Sequence, residues 1–70
     1  MEEQYVAIHT PFIKLEGLLK LEGVAQTGGE AKEMIQEGLI KVNGAVCTQR
    51  GKKLYPGDWV EASGARLTVR

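Results

Sequence analysis

Seventy residues make one small domain, and nine Lys and Arg against nine Asp and Glu leave no formal net charge. A hydrophobic content of 43% argues against wholesale disorder, while one Cys and one His exclude an intramolecular disulfide and a Cys/His zinc site. No apolar run approaches a membrane span and no signal peptide is evident, so a cytoplasmic protein is expected.

Residues 4–9 (Gln-Tyr-Val-Ala-Ile-His) favour a first strand, which Thr10-Pro11 breaks. Leu15, Leu18 and Leu19 fall at i, i+3 and i+4 and predict one face of a short helix. Lys14, Glu16 and Lys20 then lie on its other faces. Gly17 weakens this helix by roughly 1 kcal/mol relative to Ala, which suggests close packing against a neighbour. Gly23 ends it, and Val24-Ala25-Gln26 leads to the next cap.

Thr27 and Glu30 have capping-box spacing, so a second helix is predicted from about Gly28 to Glu37. Ala31, Met34 and Ile35 form its apolar stripe. Gly28, Gly29, Lys32 and Gln36 share another face. Gly38 sits where a left-handed stop is needed. Residues 39–42 and 45–48 read as strands around Asn43-Gly44, the strongest short hairpin signal. A loop over residues 49–53 leads to Leu54-Tyr55, then to the turn Pro56-Gly57-Asp58. Trp59-Val60-Glu61 is a further strand, Ser63-Gly64 a turn, and residues 66–70 alternate as a last strand. Helices and strands are grouped, which predicts an α+β domain over residues 1–70: two short helices on a small twisted, mainly antiparallel sheet.

The zero net charge hides an asymmetry. Residues 1–38 carry three Lys against seven Glu, a balance of −4, and residues 39–70 carry six Lys and Arg against Asp58 and Glu61, a balance of +4. Local potential, not net charge, steers binding, so an anionic partner is expected.

The string from Ile13 to Val60 resembles the RNA-binding domain named after small-subunit ribosomal protein S-four, built around the alpha-L motif. That family pairs a Leu-bearing first helix with a Ser/Thr-capped second helix carrying Ala in its first turn. A Gly, a strand, a Val-Asn-Gly turn and a late Pro-Gly-Asp follow. Here these are Leu15 and Leu19, Thr27 and Ala31, Gly38, Val42-Asn43-Gly44 and Pro56-Gly57-Asp58. The family-like core spans about residues 13–60. Many members carry Arg after the capping residue and near the start of the first helix; here Gly28 and Lys14 stand there. The Thr-Gly-Gly and Gly-Lys-Lys-Leu strings are similar to small stand-alone bacterial members, which have no attached enzyme. The resemblance implies a cytoplasmic, ribosome-associated monomer with no cofactor, binding structured RNA, ribosomal RNA included, with a ribosomal or other protein as a further partner.

The candidate RNA-binding residues are Lys14, Thr27, Gly28, Gly29, Lys32, Lys41, Arg50, Lys52 and Lys53. Arg50, Lys52 and Lys53 suit phosphate contact from a loop, or are a solvated hairpin loop. Gly28-Gly29 either bares helix-start amides to a phosphate, with Lys32 one turn on, or allows a tight entry between helices. Lys41 should point off the sheet face opposite Ile40 and Val42 and is able to join the basic set, as is Lys14 by resemblance. Tyr55 and Trp59 either stack on unpaired bases or belong to the core rim. Asn43 is explained by the positive φ of its turn, and Cys47 by apolar filling.

Catalysis finds no support. His9 and Cys47 lack an orienting third member, and no Walker-type loop is present. The rival to RNA binding is a protein-binding adaptor using the acidic helical half, with Glu16, Glu22, Glu33 and Glu37 facing a basic protein.

Overall fold

The computed structural model describes residues 2–70. In chain order the elements are β1 (Glu2–Val6), β2 (Ile13–Lys14), α1 (Leu15–Leu21), α2 (Gly28–Gln36), β3 (Lys41–Val42), β4 (Ala45–Val46), β5 (Lys53–Leu54), β6 (Trp59–Ala62) and β7 (Ala65–Val69). Five strands make one sheet in the order β1-β7-β6-β3-β4, and β2 with β5 makes a separate two-stranded ladder. Every pairing is antiparallel except that of β1 with β7. The expected α+β class, two helices with a mainly antiparallel sheet, is what forms.

The helices pack on each other, and their buried faces share one core with the sheet. Leu15, Leu18 and Leu19 of α1 and Ile35 of α2 join Val60, Leu67 and Val69 in one buried cluster. Each fully buried side chain of this size contributes about 1.5–3 kcal/mol, so these few positions dominate the stability of so small a domain. Ile13, Met34 and Cys47 pack at its margin.

Local signals set the element ends. The Thr27 hydroxyl accepts from the Glu30 amide at 3.1 Å. The reciprocal bond, from the Thr27 amide to the Glu30 carboxylate, does not form among the described residues, so only half of the expected capping box is made. Gly38, at φ 76°, follows the last turn of α2. Its amide donates to the Ile35 carbonyl (3.1 Å) and the Leu39 amide to the Met34 carbonyl (3.2 Å), the paired bonds of a Schellman stop. That stop holds Leu39, so β3 begins at Lys41 and not at 39. Asn43 (φ 51°) and Gly44 (φ 89°) form the tight turn into β4.

Three expectations need correction. The first strand covers Glu2–Val6, earlier than 4–9, and pairs in parallel with β7 from Glu2↔Ala65 to Val6↔Val69. A parallel pair needs a crossover, here the whole intervening chain, so no local pattern announces it. Lys14 is not helical: it closes β2 and is the extended N-cap residue of α1 (φ −76°, ψ 148°). Gly17 is not required by a close approach, since an added Cβ would stand 3.7 Å from Ile13 in ordinary contact.

Asn43 does more than turn the chain. Its Nδ2 donates to Asp58 Oδ1 (3.2 Å), and its Oδ1 accepts from the Trp59 amide (3.0 Å). The other Asp58 oxygen accepts from the Tyr55 amide (2.8 Å). The β3–β4 turn and the Pro56-Gly57-Asp58 turn are thus one hydrogen-bonded unit. Through Tyr55 it reaches the two-stranded ladder.

Candidate nucleic-acid interface

The β2–β5 ladder has two faces because strand side chains alternate. Leu54 points into the core and pairs with Ile13, which is partly buried against it. Lys14 and Lys53 pair directly and are both exposed. Like charges at directly opposite positions of a sheet destabilise it, by about 1 kcal/mol or less for exposed pairs. Among the described residues no acid lies within ion-pairing distance of either. Among the described residues the one ion pair is Arg66 with Glu3 at 3.6 Å.

The ladder continues into the start of α1. The Leu15 amide donates to the Lys52 carbonyl (2.9 Å) and the Glu16 amide to the Arg50 carbonyl (3.1 Å). First-turn amides have no partner within their own helix. Here loop carbonyls satisfy them, and α1 has no side-chain cap. The same two bonds fix the backbone of residues 50–52 against the helix, with Arg50, Lys52 and Lys53 exposed. The structure therefore brings Lys14, Arg50, Lys52 and Lys53 onto one platform. Two aromatic rings adjoin it. Lys53 Nζ stands 4.8 Å over the Phe12 ring, and Phe12 meets Tyr55 at 5.9 Å between centroids.

The remaining candidates are not bonded into this platform. Gly28, Gly29 and Lys32 are exposed at the start of α2, and among the described residues no hydrogen bond or ion pair ties that end to the 50–53 loop. A Cβ on Gly28 would meet nothing within 4 Å, and on Gly29 only Thr27 Oγ1 at 3.8 Å. A tight entry between helices therefore does not explain the two glycines. Lys41 is not brought to the platform. It sits on the five-stranded sheet, paired with Glu61 on β6 and Val46 on β4.

Arg66 and Arg70 account for the rest of the positive half. The Arg66 guanidinium lies 4.3 Å over the Trp59 ring and that of Arg70 lies 4.3 Å over Tyr5. Trp59 is thus partly buried, with an arginine on one face and Gly44 close to its edge. Phe12 was not among the residues singled out from sequence. Its only signal there was its place next to Ile13, which two-residue strands are too short to turn into a register.

The model of the S4 domain matches residues 6–70 of this chain. The chain belongs to the S4 domain family. Two curated relatives of this S4 domain are of similar length. It is 42% identical over 59 residues to the "Putative RNA-binding protein YbcJ" of Escherichia coli (strain K12), covering 84% of each chain. It is 44% identical over 59 residues to the "Probable ribosome maturation protein RlbA" of Bacillus subtilis (strain 168), covering 84% of this chain and 83% of that protein. A 37% identity to "Ribosomal large subunit pseudouridine synthase B" of the same organism spans 54 residues and only 22% of that enzyme. The shared part is a minor portion of a larger catalytic protein.

Proposed function

We propose that this S4 domain binds structured RNA through its phosphates and carries out no chemistry of its own. The observation that carries this is the Lys14–Lys53 pair, two cations held opposite each other with no acid to neutralise them, flanked by Arg50 and Lys52 on a backbone bonded to α1. An arrangement that costs free energy in the free protein is relieved when an anion enters. Lysines and an arginine on one surface follow a phosphate backbone without reading sequence, so helical or junctional RNA suits it better than a defined linear sequence. The open start of α2, with the amides of Gly28 and Gly29 beside the Thr27 cap and Lys32 one turn on, supplies a second phosphate contact. Lys41 contributes little, being placed beside Glu61.

The printed names of the relatives favour RNA as the anion and ribosome maturation as the setting. A cytoplasmic monomer fits that role, and no helix is long and apolar enough to cross a membrane. The test is a triple charge reversal, Arg50→Glu with Lys52→Glu and Lys53→Glu, assayed for retention of cellular RNA and of co-purifying proteins. Loss of RNA supports the proposal. Retained RNA, or loss confined to a protein partner, contradicts it.

A further inference from the structure

We infer that the Phe12–Tyr55 pair is a seat for one unpaired nucleobase beside the phosphate platform, so that the preferred ligand is an RNA helix interrupted by an unpaired nucleotide. The inference rests on the phosphate-binding proposal above and adds a base contact to it.

The ladder register supplies the geometry. Ile13 pairs with Leu54 and Lys14 with Lys53; Phe12 and Tyr55 are the next residues beyond the ladder, where the same register would set them opposite, and their rings are in contact. Side chains two residues apart on a strand share a face. Phe12 and Tyr55 therefore extend the same outward face as Lys14 and Lys53, and the rings meet at 5.9 Å with a 49° tilt. Two strand rises, about 7 Å, separate the backbone positions of Lys14 and Lys53 from those of Phe12 and Tyr55. A nucleotide whose phosphate meets the exposed lysines can therefore set its base against the neighbouring rings.

Of the two rings, Tyr55 is the open one. Lys53 Nζ already stands over Phe12. Tyr55 is 48% exposed, and no cation of the described residues stands over its ring. Tyr5 and Trp59, on the other sheet, each have a guanidinium on a ring face. The Tyr55 backbone is also held. Its amide donates to the Asp58 carboxylate (2.8 Å), its carbonyl accepts from the Asp58 amide (2.9 Å), and Pro56 follows. An exposed aromatic on a fixed backbone stacks on a base with little ordering cost.

The experiment uses the full chain and two probes, a fully paired RNA hairpin and the same hairpin with one bulged 2-aminopurine. Affinity is measured for the wild type, Tyr55→Ala and Tyr55→Phe. The wild type should prefer the bulged hairpin by roughly tenfold, the scale of one base–aromatic stack. Tyr55→Ala should lose that preference while keeping its affinity for the paired hairpin, and Tyr55→Phe should retain it. The bulged 2-aminopurine should be quenched on binding wild type. This readout stands even if a variant folds poorly. Equal wild-type affinity for both hairpins, or an unquenched 2-aminopurine, overturns the base seat and leaves the phosphate proposal standing. So does a Tyr55→Ala that weakens both probes alike. Failure of the wild type to bind either hairpin at low salt overturns both.

Discussion

The two β layers of this domain treat positive charge in opposite ways. On the five-stranded sheet each cation has company. Arg66 lies between Glu3 and the Trp59 ring, Arg70 covers Tyr5, and Lys41 stands opposite Glu61. On the β2–β5 ladder Lys14 faces Lys53, and Arg50 and Lys52 sit alongside, with no ion-paired acid among the described residues. A chain of zero net charge thus holds one surface where cations are interspersed with acids and rings and one where cations cluster with no acid in ion-pair contact among the described residues. Counting charges along the sequence shows the excess in the second half. Only partners tell which part of it is free.

The sharpest way to break the comparison is to give the ladder what the sheet already has. Lys14→Glu places an acid opposite Lys53. Opposite charges across a strand pair stabilise by about 0.2–1 kcal/mol, so thermal unfolding should be unchanged or slightly raised. RNA affinity should nevertheless fall roughly tenfold or more, with a salt slope shallower by about 1.5 to 2, because two cations leave the phosphate set. A variant that binds RNA as well as wild type would show that the ladder is only a structural element.

The next largest effect concerns the joint between the layers. Asp58→Ala removes the acceptor for Asn43 and for the Tyr55 amide. Hydrogen bonds to charged groups are worth about 1.5–3 kcal/mol, so denaturant unfolding should show a loss of about 2 kcal/mol. A loss below about 0.5 kcal/mol would mean that the two turns stand independently, on the scale of ordinary surface substitutions.

Much of this architecture was legible locally. Thr27, Gly38 and Asn43-Gly44 each impose a backbone conformation within a few residues, and each does so in the structure. The long-range pairings were not. Val6 with Val69, and Ile13 with Leu54, join distant segments, and a two-residue strand has no periodicity to read. Lys14 looked helical because Leu15, Leu18 and Leu19 carry a helical period, yet it sits one residue before the helix, in extended backbone. The same gap hid half of the candidate site. Lys14 was included by family resemblance, Phe12 was not, and the register that unites them with Lys53 and Tyr55 is a tertiary fact. Asn43 was explained by its turn alone, and its bond to Asp58, fifteen residues on, was unseen.

Smaller effects sharpen the comparison from the five-stranded sheet. Arg66→Ala removes a stacked, partly buried cation and its ion pair, and should lower stability by about 0.5–1 kcal/mol. Its effect on RNA affinity should be less than twofold, measured by fluorescence anisotropy against the same RNA. Lys41→Ala should do less still, with affinity and unfolding both near wild type. A marked loss of RNA binding in either variant would place the five-stranded sheet in the interface.

The most direct measurement is the salt dependence of binding to a structured RNA. With about four phosphates neutralised, log K should fall against log salt with a slope of roughly −3, and Lys14→Glu should visibly flatten it. A wild-type affinity that does not change with salt would contradict the account.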